Sequence, residues 1–495
     1  MLFTGLLLTL FIGLNLNTYL TTRLGVYVRH TLRDQITKKI LNTSYETISS
    51  SGNHKIYAAL TKDINDISSF ISTFPFFMHQ FFVLMCCIGF MAYKSLMLFL
   101  TPCLIFTLNI IFMSYLMKKG YAYYEGHRKN IDAFNADIKT MVEGSKELSQ
   151  SYSRNHSFYT HHALPSLSQL RNSDFKQEIY SCLVDNWSEI STFLSLGSVL
   201  FIHLFFNVGT SADVLTFTFI FFYIQGPIGA VTYAKEAFIK AKVGIKSINN
   251  LGLGEIANHE NKLKQLKVNR YNNIVYKNMT YHYTTGNHDF SIQPIDFYLN
   301  KNEIVFLRGQ NGSGKSTFSM LLTGLFTPHT GQVRVDSKVV NSTDMSFKSL
   351  FGVVHTQSCL FKEVINQEGE IVNTREIIDF LKLIKLDHKV KVKDGLLSTL
   401  DLSQGQKKRL ALLLAYFENT PILVLDEFAA DQDPSFRRYF YEYLIHDLKA
   451  KGKTVLAITH DDAYFHHADR LFVMDNGQLI EDSKIPKDTH QLEKV

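Results

Sequence analysis

The sequence predicts an α-helical polytopic membrane domain fused to a C-terminal α/β domain. Within the first 235 residues, five windows hold no charged residue over about the length that crosses a lipid bilayer. After residue 268 the pattern changes to short apolar strands that alternate with helices. Of the 495 residues, 46% are hydrophobic and 19% are charged, below the roughly 25% charged residues of soluble domains. We therefore predict a membrane domain at 1–246, a polar linker at 247–266 and an α/β domain at 267–495.

The apolar windows are each long enough to form a transmembrane helix, because ~20 helical residues cover the ~30 Å hydrocarbon core. A single window could be a buried core helix, but five of them in one half of the chain disfavour that alternative. The first window could also be a cleavable signal peptide. It lacks a preceding basic residue and a cleavage site of small residues. The predicted spans are 2–22, 67–93, 95–117, 190–212 and 214–234.

Basic residues flank the spans unevenly and predict their orientation. The formal net charge of +6 lies entirely within residues 1–250, because residues 251–495 are balanced. Lys and Arg cluster after the first, third and fifth spans, whereas the short intervening loops hold only Lys94. By the positive-inside tendency, the basic segments are cytoplasmic and the N-terminus lies outside. The long segments 23–66 and 118–189 are expected to extend the membrane helices into the cytoplasm.

A phosphate-binding loop follows the strand predicted at 303–308 (EIVFLR). The segment Gly309–Thr317 fits GxxxxGK[ST] and precedes an apolar helix predicted to end near Leu325. Its glycines let backbone N–H groups approach phosphates, and the helix N-terminus adds positive potential. Lys315 is expected to pair with the β- and γ-phosphates, and Ser316 with Mg²⁺. The predicted nucleotide-binding residues of this loop are Gly309, Asn311, Gly312, Ser313, Gly314, Lys315, Ser316 and Thr317.

Two adjacent carboxylates end the apolar strand predicted at 421–425 (PILVL). Asp426 is expected to hold Mg²⁺ through water, and Glu427 to act as the general base for an attacking water. A helix cap is the alternative, which the upstream phosphate loop disfavours. A further strand predicted at 454–458 (TVLAI) leads to His460, which could hydrogen-bond the γ-phosphate. A histidine in that place would, taken alone, more often be structural.

A second potential anion site precedes the helix predicted at 407–416. Leu402-Ser-Gln-Gly-Gln406 places a serine and free backbone amides at the helix N-terminus. The basic run Lys407-Lys-Arg409 that follows could contact nucleic acid, but a solvated helix face is the favoured interpretation. A nucleic-acid partner is not expected, because such a protein would carry its basic patch on a soluble fold.

In this order and spacing, the motifs resemble the ATP-binding cassette of ABC transporters, with Leu402–Gln406 as the most specific mark. The resemblance implies an α/β P-loop NTPase fold, ATP and Mg²⁺ as cofactors, and ATP hydrolysis coupled to transport. It also implies that Tyr283 stacks on adenine and that Gln357 contacts both Mg²⁺ and the membrane domain. Segments 45–60 and 128–145 would transmit closure to the spans. The catalytic residues so implied are Glu427, His460 and Gln357, and the Mg²⁺ ligands are Ser316, Gln357 and Asp426.

Cassettes of this kind work as head-to-tail dimers, so the resemblance implies a second copy of the chain as partner. Each chain would then complete the ATP site of the other. The residues expected to act across the dimer are Ser403, Gly405, Gln406 and Asp433.

A closer resemblance covers nearly the whole chain. Leu425–Pro434 (LDEFAADQDP) is similar to the DEWAADQDP form of bacterial cyclic-peptide and siderophore-precursor exporters of the pyoverdine type. Leu402–Leu412, Ile458–Asp462 and Val142–Leu148 match that group too. The resemblance implies export of a peptide-like small molecule across the bacterial inner membrane. Siderophore import by the same fold and a truncated, non-transporting remnant are the alternatives.

The number of spans departs from that group, whose half-transporters have six. The first window here resembles their second span, so about 50 residues are expected to be missing at the front of this chain relative to that group. A misassigned start codon is the first explanation and a natural truncation the second. Parity agrees with the charge pattern, because five spans place the ATP sites in the cytoplasm only when the N-terminus is outside.

Overall fold

The computed structural model describes residues 2–254, 271–285 and 288–482. Contacts divide the chain into two units. Residues 1–34 and 57–250 form the first, and residues 35–56 and 251–495 form the second. The predicted domain boundaries stay predictions, and residues 255–266 of the predicted linker lie outside the described residues.

Long helices dominate the first 250 residues. Short π-helical turns at Ala59–Asp63 and Tyr159–Ala163 join α3 to α4 and α7 to α8. The prediction that helices continue beyond the apolar windows is confirmed, since α1 runs to Asn42 and α5 to Glu143. The helices are α1 (Leu2–Asn42), α2 (Tyr45–Ser51), α3 (Asn53–Ala58), α4 (Ile64–Lys94), α5 (Leu96–Glu143), α6 (Ser145–Gln150), α7 (Tyr152–Phe158), α8 (Leu164–Phe206) and α9 (Ser211–Asn249).

Four segments of the described chain have the length and apolar composition of a membrane span. They cover the predicted windows 2–22, 67–93 and 214–234 in full, which confirms these three as long apolar helices, and the window 190–212 as far as Phe206. The remaining window, 95–117, begins at Ser95, the N-cap of α5, and stays a prediction, because the apolar stretch described there is shorter than a span. The four segments are Leu2–Asn42, Lys55–Lys94, Glu189–Phe206 and Ser211–Asn249.

The window predicted at 190–212 is corrected at its end by a tight turn between α8 and α9. Asn207 has a left-handed backbone, with φ of 49°, and ends α8. Thr210 then caps α9, because its Oγ1 accepts from Asp213 N at 3.2 Å while Asp213 Oδ2 accepts from Thr210 N at 2.9 Å. This reciprocal cap satisfies N–H groups that a helix start leaves free. Residues 207–210 are therefore a turn rather than part of a span.

The membrane helices pack in pairs and leave apolar surfaces outward. Helix α5 packs along α8, and α4 packs along α9. A small core contains Met91, Leu98, Val199, Phe217 and Phe221. In contrast, none of the apolar window of α1 is buried. Apolar helices with exposed faces are typical of contact with lipid, where the helix satisfies its own backbone groups.

The second unit contains a mixed α/β fold. One sheet has the strand order β2-β1-β4-β5, and the main sheet has the order β12-β11-β3-β10-β9-β6. Its strands and helices are β1 (Asn273–Thr285), β2 (His288–Asn300), β3 (Ile304–Gly309), α10 (Lys315–Leu322), β4 (Thr330–Val335), β5 (Lys338–Val340), α11 (Met345–Lys348), β6 (Phe351–Val354), α12 (Thr374–Leu383), β7 (Val392–Lys393), β8 (Leu396–Leu397), α13 (Gln404–Phe417), β9 (Ile422–Asp426), α14 (Pro434–Tyr439), α15 (Ile445–Ala450), β10 (Thr454–Ile458), β11 (Arg470–Asp475) and β12 (Gln478–Asp482).

Both faces of the main sheet are covered by core. Ile304 and Phe306 of β3 join one apolar cluster, whereas Val305 and Leu307 join the other. Because successive side chains of a strand point to opposite faces, a strand buried on both sides reads as a continuous apolar run. The three strands predicted from such runs are confirmed as β3, β9 and β10, each within one residue.

Two helix ends differ from the sequence prediction. Helix α10 ends at Leu322 rather than near Leu325, because Gly324 follows with a left-handed φ of 74°. Helix α13 begins at Gln404 rather than 407, because the Ser403 side chain caps it. Both shifts arise from local capping that apolar periodicity does not reveal.

Tyr276 fixes the C-terminal end of α10 in the core. Its ring is fully buried, and its hydroxyl donates to the Leu322 carbonyl at 2.8 Å. Leu322 is the last residue of α10, where carbonyl groups lack partners within the helix. The bond therefore anchors the helix that begins directly after the phosphate loop.

Tyr276→Phe is expected to lower the free energy of unfolding by about 1–3 kcal/mol, because it leaves a buried carbonyl without a donor. Thermal unfolding of the full chain in detergent measures the change. Tyr443→Phe is the control, since Tyr443 is 54% exposed. Equal melting temperatures for the wild type and Tyr276→Phe would contradict the assignment.

Candidate nucleotide-binding and hydrolysis site

Four parallel strands of the main sheet end at one edge and carry most of the predicted site residues. Pairing places Leu307 and Asp426 on either side of Ile458, and Val354 opposite Leu425. The segments after β3, β10, β9 and β6 therefore meet at this edge. Ligands of open α/β sheets bind outside the carboxyl ends of the strands.

The phosphate loop joins β3 to α10 through a backbone that glycine permits. Gly312 and Gly314 have φ of 81° and 107°, a region that L-residues rarely adopt. A Cβ on Gly309 would lie 2.3 Å from the Met474 carbonyl oxygen of β11. The glycines thus allow both the turn and the close strand pairing that precedes it.

Lys315 lies buried at the first position of α10. Its side chain donates to the carbonyl oxygens of Gly309 at 2.7 Å and Gln310 at 2.9 Å. Burial lowers the pKa of Lys315, while the carboxylates of Glu427 and Asp426 oppose that shift. A buried ammonium held by neutral carbonyls is well suited to receive an anionic phosphate.

The other residues of the loop offer further polar groups. Ser313 Oγ is buried and has no hydrogen-bond partner among the described residues. Asn311 and Ser316 are exposed, and Thr317 is half-buried. An unpartnered buried hydroxyl beside exposed polar groups fits a polar ligand.

Tyr283, predicted to stack on adenine, lies in β1, where its backbone pairs with Phe290. The side chain of Tyr283 is outside the described part of the structure. Phe290 itself lies against the phosphate loop, since a Cβ on Gly314 would come within 2.7 Å of its ring. The predicted stacking stays a prediction.

Asp426 lies buried at the end of β9, 6% exposed. Burial raises the pKa of Asp426, and a 2.9 Å hydrogen bond from Thr356 Oγ1 partly offsets this. Gln357, which follows Thr356 in the chain, is exposed. Carboxylate, amide and hydroxyl oxygens are ligands that Mg²⁺ prefers, so Asp426, Gln357 and Ser316 fit such an ion chemically. Thr356 was not predicted from the sequence.

Glu427 adopts a left-handed backbone, with φ of 51°. Its N–H donates to the Ile458 carbonyl at 3.0 Å. Its Oε1 lies 3.7 Å from His460 Nε2, and the two side chains are 31% and 49% exposed. The carboxylate and the imidazole are therefore adjacent and open to water, as a base and its partner require.

The residues predicted to act across the dimer form a separate cluster. Ser403 and Gln406 cap α13 reciprocally, and no hydrogen bond links them to the phosphate loop among the described residues. Ser403 and Asp433 are exposed. Gly405 is buried, and a Cβ there would lie 2.3 Å from the Asp431 carbonyl oxygen. Gly405 therefore has a packing role within its own chain that the sequence did not indicate.

The prediction of a solvated basic face at 407–409 is wrong for two of the three residues. Lys408 and Arg409 are only 3% and 9% exposed. Arg409 donates to Gln432 Oε1 at 2.7 Å and to Asp433 Oδ2 at 2.6 Å. Gln432 in turn donates to the Gly405 carbonyl at 3.0 Å. Polar partners in residues 427–433 replace solvent for these cations.

Asp433 is held ionised by the same cluster. Hydrogen bonds from Ser435 and the Phe436 backbone, together with Arg409, hold the pKa of this carboxyl well below its usual range. The Arg409 guanidinium also lies 3.5 Å from the centre of the Phe436 ring. Hydrogen bonds and ion pairs thus join residues 431–433 to α13 within one chain.

Helix α2 contacts the α/β fold close to β1. Glu46 accepts from the Tyr281 hydroxyl at 2.8 Å and from Thr327 N at 3.2 Å. Tyr45 stacks on Phe326, with ring centres 6.1 Å apart. These contacts explain why residues 35–56 belong to the second unit. Transmission of closure through segment 45–60 stays a prediction.

Comparison with known proteins identifies the family. The protein-family model described as "ABC transporter" matches residues 292–430, and the family model described as "ABC transporter transmembrane region" matches residues 1–228. ATP-binding protein SyrD of Pseudomonas syringae pv. syringae is 30% identical over 466 residues, covering 92% of this chain and 82% of that protein. The chain belongs to the ABC transporter family.

Two further similarities concern the ATPase domain and the fold. Energy-coupling factor transporter ATP-binding protein EcfA1 of Mycoplasma pneumoniae is 32% identical over 207 residues, covering 40% of this chain and 74% of that protein. A solved structure of a bacterial Atm1-family ABC exporter with ATP bound has a TM-score of 0.78 and 16% identity, covering 94% of this chain and 84% of that one. This last similarity shows the exporter fold.

The predicted fold class is therefore confirmed: a helical membrane domain is fused to an α/β ABC ATPase domain. The ABC transporter binds ATP through this domain and couples its hydrolysis to transport. A half-transporter of the exporter fold implies a dimer. The roles of individual site residues stay predictions.

Thr356→Val is expected to move the acid limb of the ATPase pH profile to higher pH. The hydrogen bond from Thr356 lowers the pKa of Asp426, so removing it raises that pKa and protonates more of the carboxyl at a given pH. Rates of phosphate release by the reconstituted transporter between pH 5 and 8 measure the profile.

Ser358→Ala is the matched control, because the Ser358 hydroxyl donates to the His355 carbonyl instead of to Asp426. Its acid limb should coincide with that of the wild type. An unchanged profile in Thr356→Val would mean that ionisation of Asp426 does not limit hydrolysis.

Proposed function

We propose that this ABC transporter is a homodimer that exports a peptide-like secondary metabolite, a cyclic peptide or siderophore precursor, across the bacterial inner membrane. The LDEFAADQDP form of Leu425–Pro434 supports this class of cargo, because it is similar to the DEWAADQDP form of exporters of such compounds. The similarity to SyrD over 92% of the chain supports the same grouping. The ATP sites are cytoplasmic, and the N-terminus of the chain lies outside.

Lys315 and the phosphate loop bind the triphosphate in this proposal. The Lys315 ammonium exchanges its bonds to the carbonyl oxygens of Gly309 and Gln310 for phosphate oxygens. The N–H groups of the loop and the start of α10 point at the same anion. Burial of Lys315 supports this role, because a desolvated cation gains more from a charged partner than an exposed one.

Glu427 and His460 carry out hydrolysis. Glu427 accepts a proton from the attacking water, and His460, 3.7 Å away, orients that water and the γ-phosphate. Ser316, Gln357 and Asp426 would hold Mg²⁺, which would neutralise phosphate charge when bound. The left-handed backbone of Glu427 directs its side chain from the strand end into the open edge.

The second copy completes each site. Ser403, Gly405, Gln406 and Asp433 contribute to ATP bound by the partner, a role that agrees with the exposure of Ser403 and Asp433. ATP then favours the closed dimer through contacts that neither chain makes alone. A ligand that bound open and closed states equally would shift nothing.

Glu427→Gln is expected to keep ATP binding and to lower turnover by roughly 10²–10⁴-fold, the usual contribution of a general base. Binding of a fluorescent ATP analogue and release of phosphate by the reconstituted transporter measure the two quantities. Glu442→Gln, which alters an exposed glutamate outside the predicted site, should change neither. Near-normal hydrolysis in Glu427→Gln would remove Glu427 from the role.

Mass spectrometry of medium and cell extract tests the cargo and the direction of transport. Cells with the wild-type chain should release a peptide-sized species, which cells with Glu427→Gln should retain. Accumulation of a labelled siderophore by wild-type cells alone would instead support import. Equal fractions in both strains, without uptake, would contradict transport and favour a non-transporting remnant.

A further inference from the structure

The backbone of Glu427 requires support from its surroundings. A left-handed φ of 51° is a conformation that a residue with a Cβ adopts at an energetic cost. The N–H of Glu427 donates to the Ile458 carbonyl at 3.0 Å, which fixes one side of the residue to β10. On the other side, the Glu427 carbonyl accepts from Ala430 N at 3.3 Å and from Lys408 Nζ at 2.7 Å.

Lys408 supplies that second support from within the protein. Its side chain is 3% exposed, and its ammonium also pairs with Asp431 Oδ2 at 2.6 Å. A buried cation is costly unless it is paired and hydrogen-bonded. Here both partners, the carbonyl of Glu427 and the carboxylate of Asp431, belong to the short segment 427–431. A single ammonium therefore ties both ends of residues 427–431 to α13.

The neighbouring Arg409 has a different task. It bonds to Gln432 and Asp433, the residues that follow the segment held by Lys408. The two cations are adjacent in the chain, but they bond to different residues of segment 427–433. Of these two cations, Lys408 is the one that bonds to the Glu427 backbone.

We propose that Lys408 is a positioning residue for hydrolysis: it bridges the Glu427 carbonyl and the Asp431 carboxylate, and so holds the strained backbone that aims the base. The proposal rests on the proposed role of Glu427. Lys408 acts through Glu427 and does not contact the reacting atoms. Its effect belongs to turnover rather than to nucleotide affinity, because displacement of a base by about 1 Å reduces rate strongly.

Lys408→Met tests the proposal in the full chain reconstituted in lipid vesicles. We expect kcat for ATP hydrolysis to fall about 10–100-fold, with KM and the affinity for a fluorescent ATP analogue changed less than about twofold. Lys407→Met is the matched control, because it removes the same charge one residue earlier on α13. Its kcat should equal that of the wild type.

Two milder variants retain part of the bridge. Asp431→Asn keeps the bond from Lys408 to the Glu427 carbonyl and weakens the ion pair, so a fall in kcat of only about 2–5-fold is expected. Lys408→Arg keeps a donor and a charge and should recover part of the activity that Lys408→Met loses. If Lys408→Met does not fold, as judged by thermal unfolding, these two variants decide the question, and normal kcat in both would overturn the proposal.

The Glu427→Gln background shows whether Lys408 acts through the base. If it does, adding Lys408→Met to Glu427→Gln lowers the residual rate no further. Independent, multiplicative losses would overturn the proposal, as would a Lys408→Met loss confined to KM. Near-normal hydrolysis by Glu427→Gln would refute the role of the base itself, whereas a normal Lys408→Met beside an inactive Glu427→Gln would refute only the positioning role.

Discussion

The site depends on the parallel pairing of β9 with β10. This pairing places Asp426 beside Ile458 and lets the Glu427 N–H bond to the Ile458 carbonyl, so both carboxylates are fixed relative to the strand that leads to His460. β3 lies on the other side of β10 and delivers the phosphate loop to the same edge. A slip of one residue in this register would turn Asp426 to the opposite face of the sheet and separate it from Thr356.

The sequence predicts those parts of the fold that depend on local pattern. Apolar runs predicted β3, β9 and β10, and the glycine spacing predicted the loop after β3, because backbone geometry and burial leave a direct signal in such runs. The membrane helices were predicted for the same reason. The turn after Phe206 was not, since it depends on the left-handed Asn207 and the cap at Thr210.

Local sequence pattern did not predict the contacts between residues that are distant in the chain. The sequence does not distinguish a lysine at the surface from a lysine buried against partners 19 and 23 residues away. Lys408 was therefore predicted to be solvated. One signal was present: Gly405, Lys408, Arg409 and Leu412 have the i, i+3, i+4, i+7 spacing of a single helix face, and Gly405 and Leu412 are buried. Thr356 beside Asp426 has no comparable signal.

The close approach of Gly405 to the Asp431 carbonyl determines which ATP sites of the proposed homodimer a substitution at position 405 would impair. A side chain at position 405 would displace residues 431–433 of its own chain, and with them the segment that carries Glu427, because the Cβ would lie 2.3 Å from a backbone atom. The same substitution would alter the surface that the proposed homodimer offers to the ATP bound by the partner. In the proposed homodimer, one mutant gene copy expressed beside a normal one would therefore impair both sites of every mixed dimer, and the mutation would behave as dominant rather than recessive.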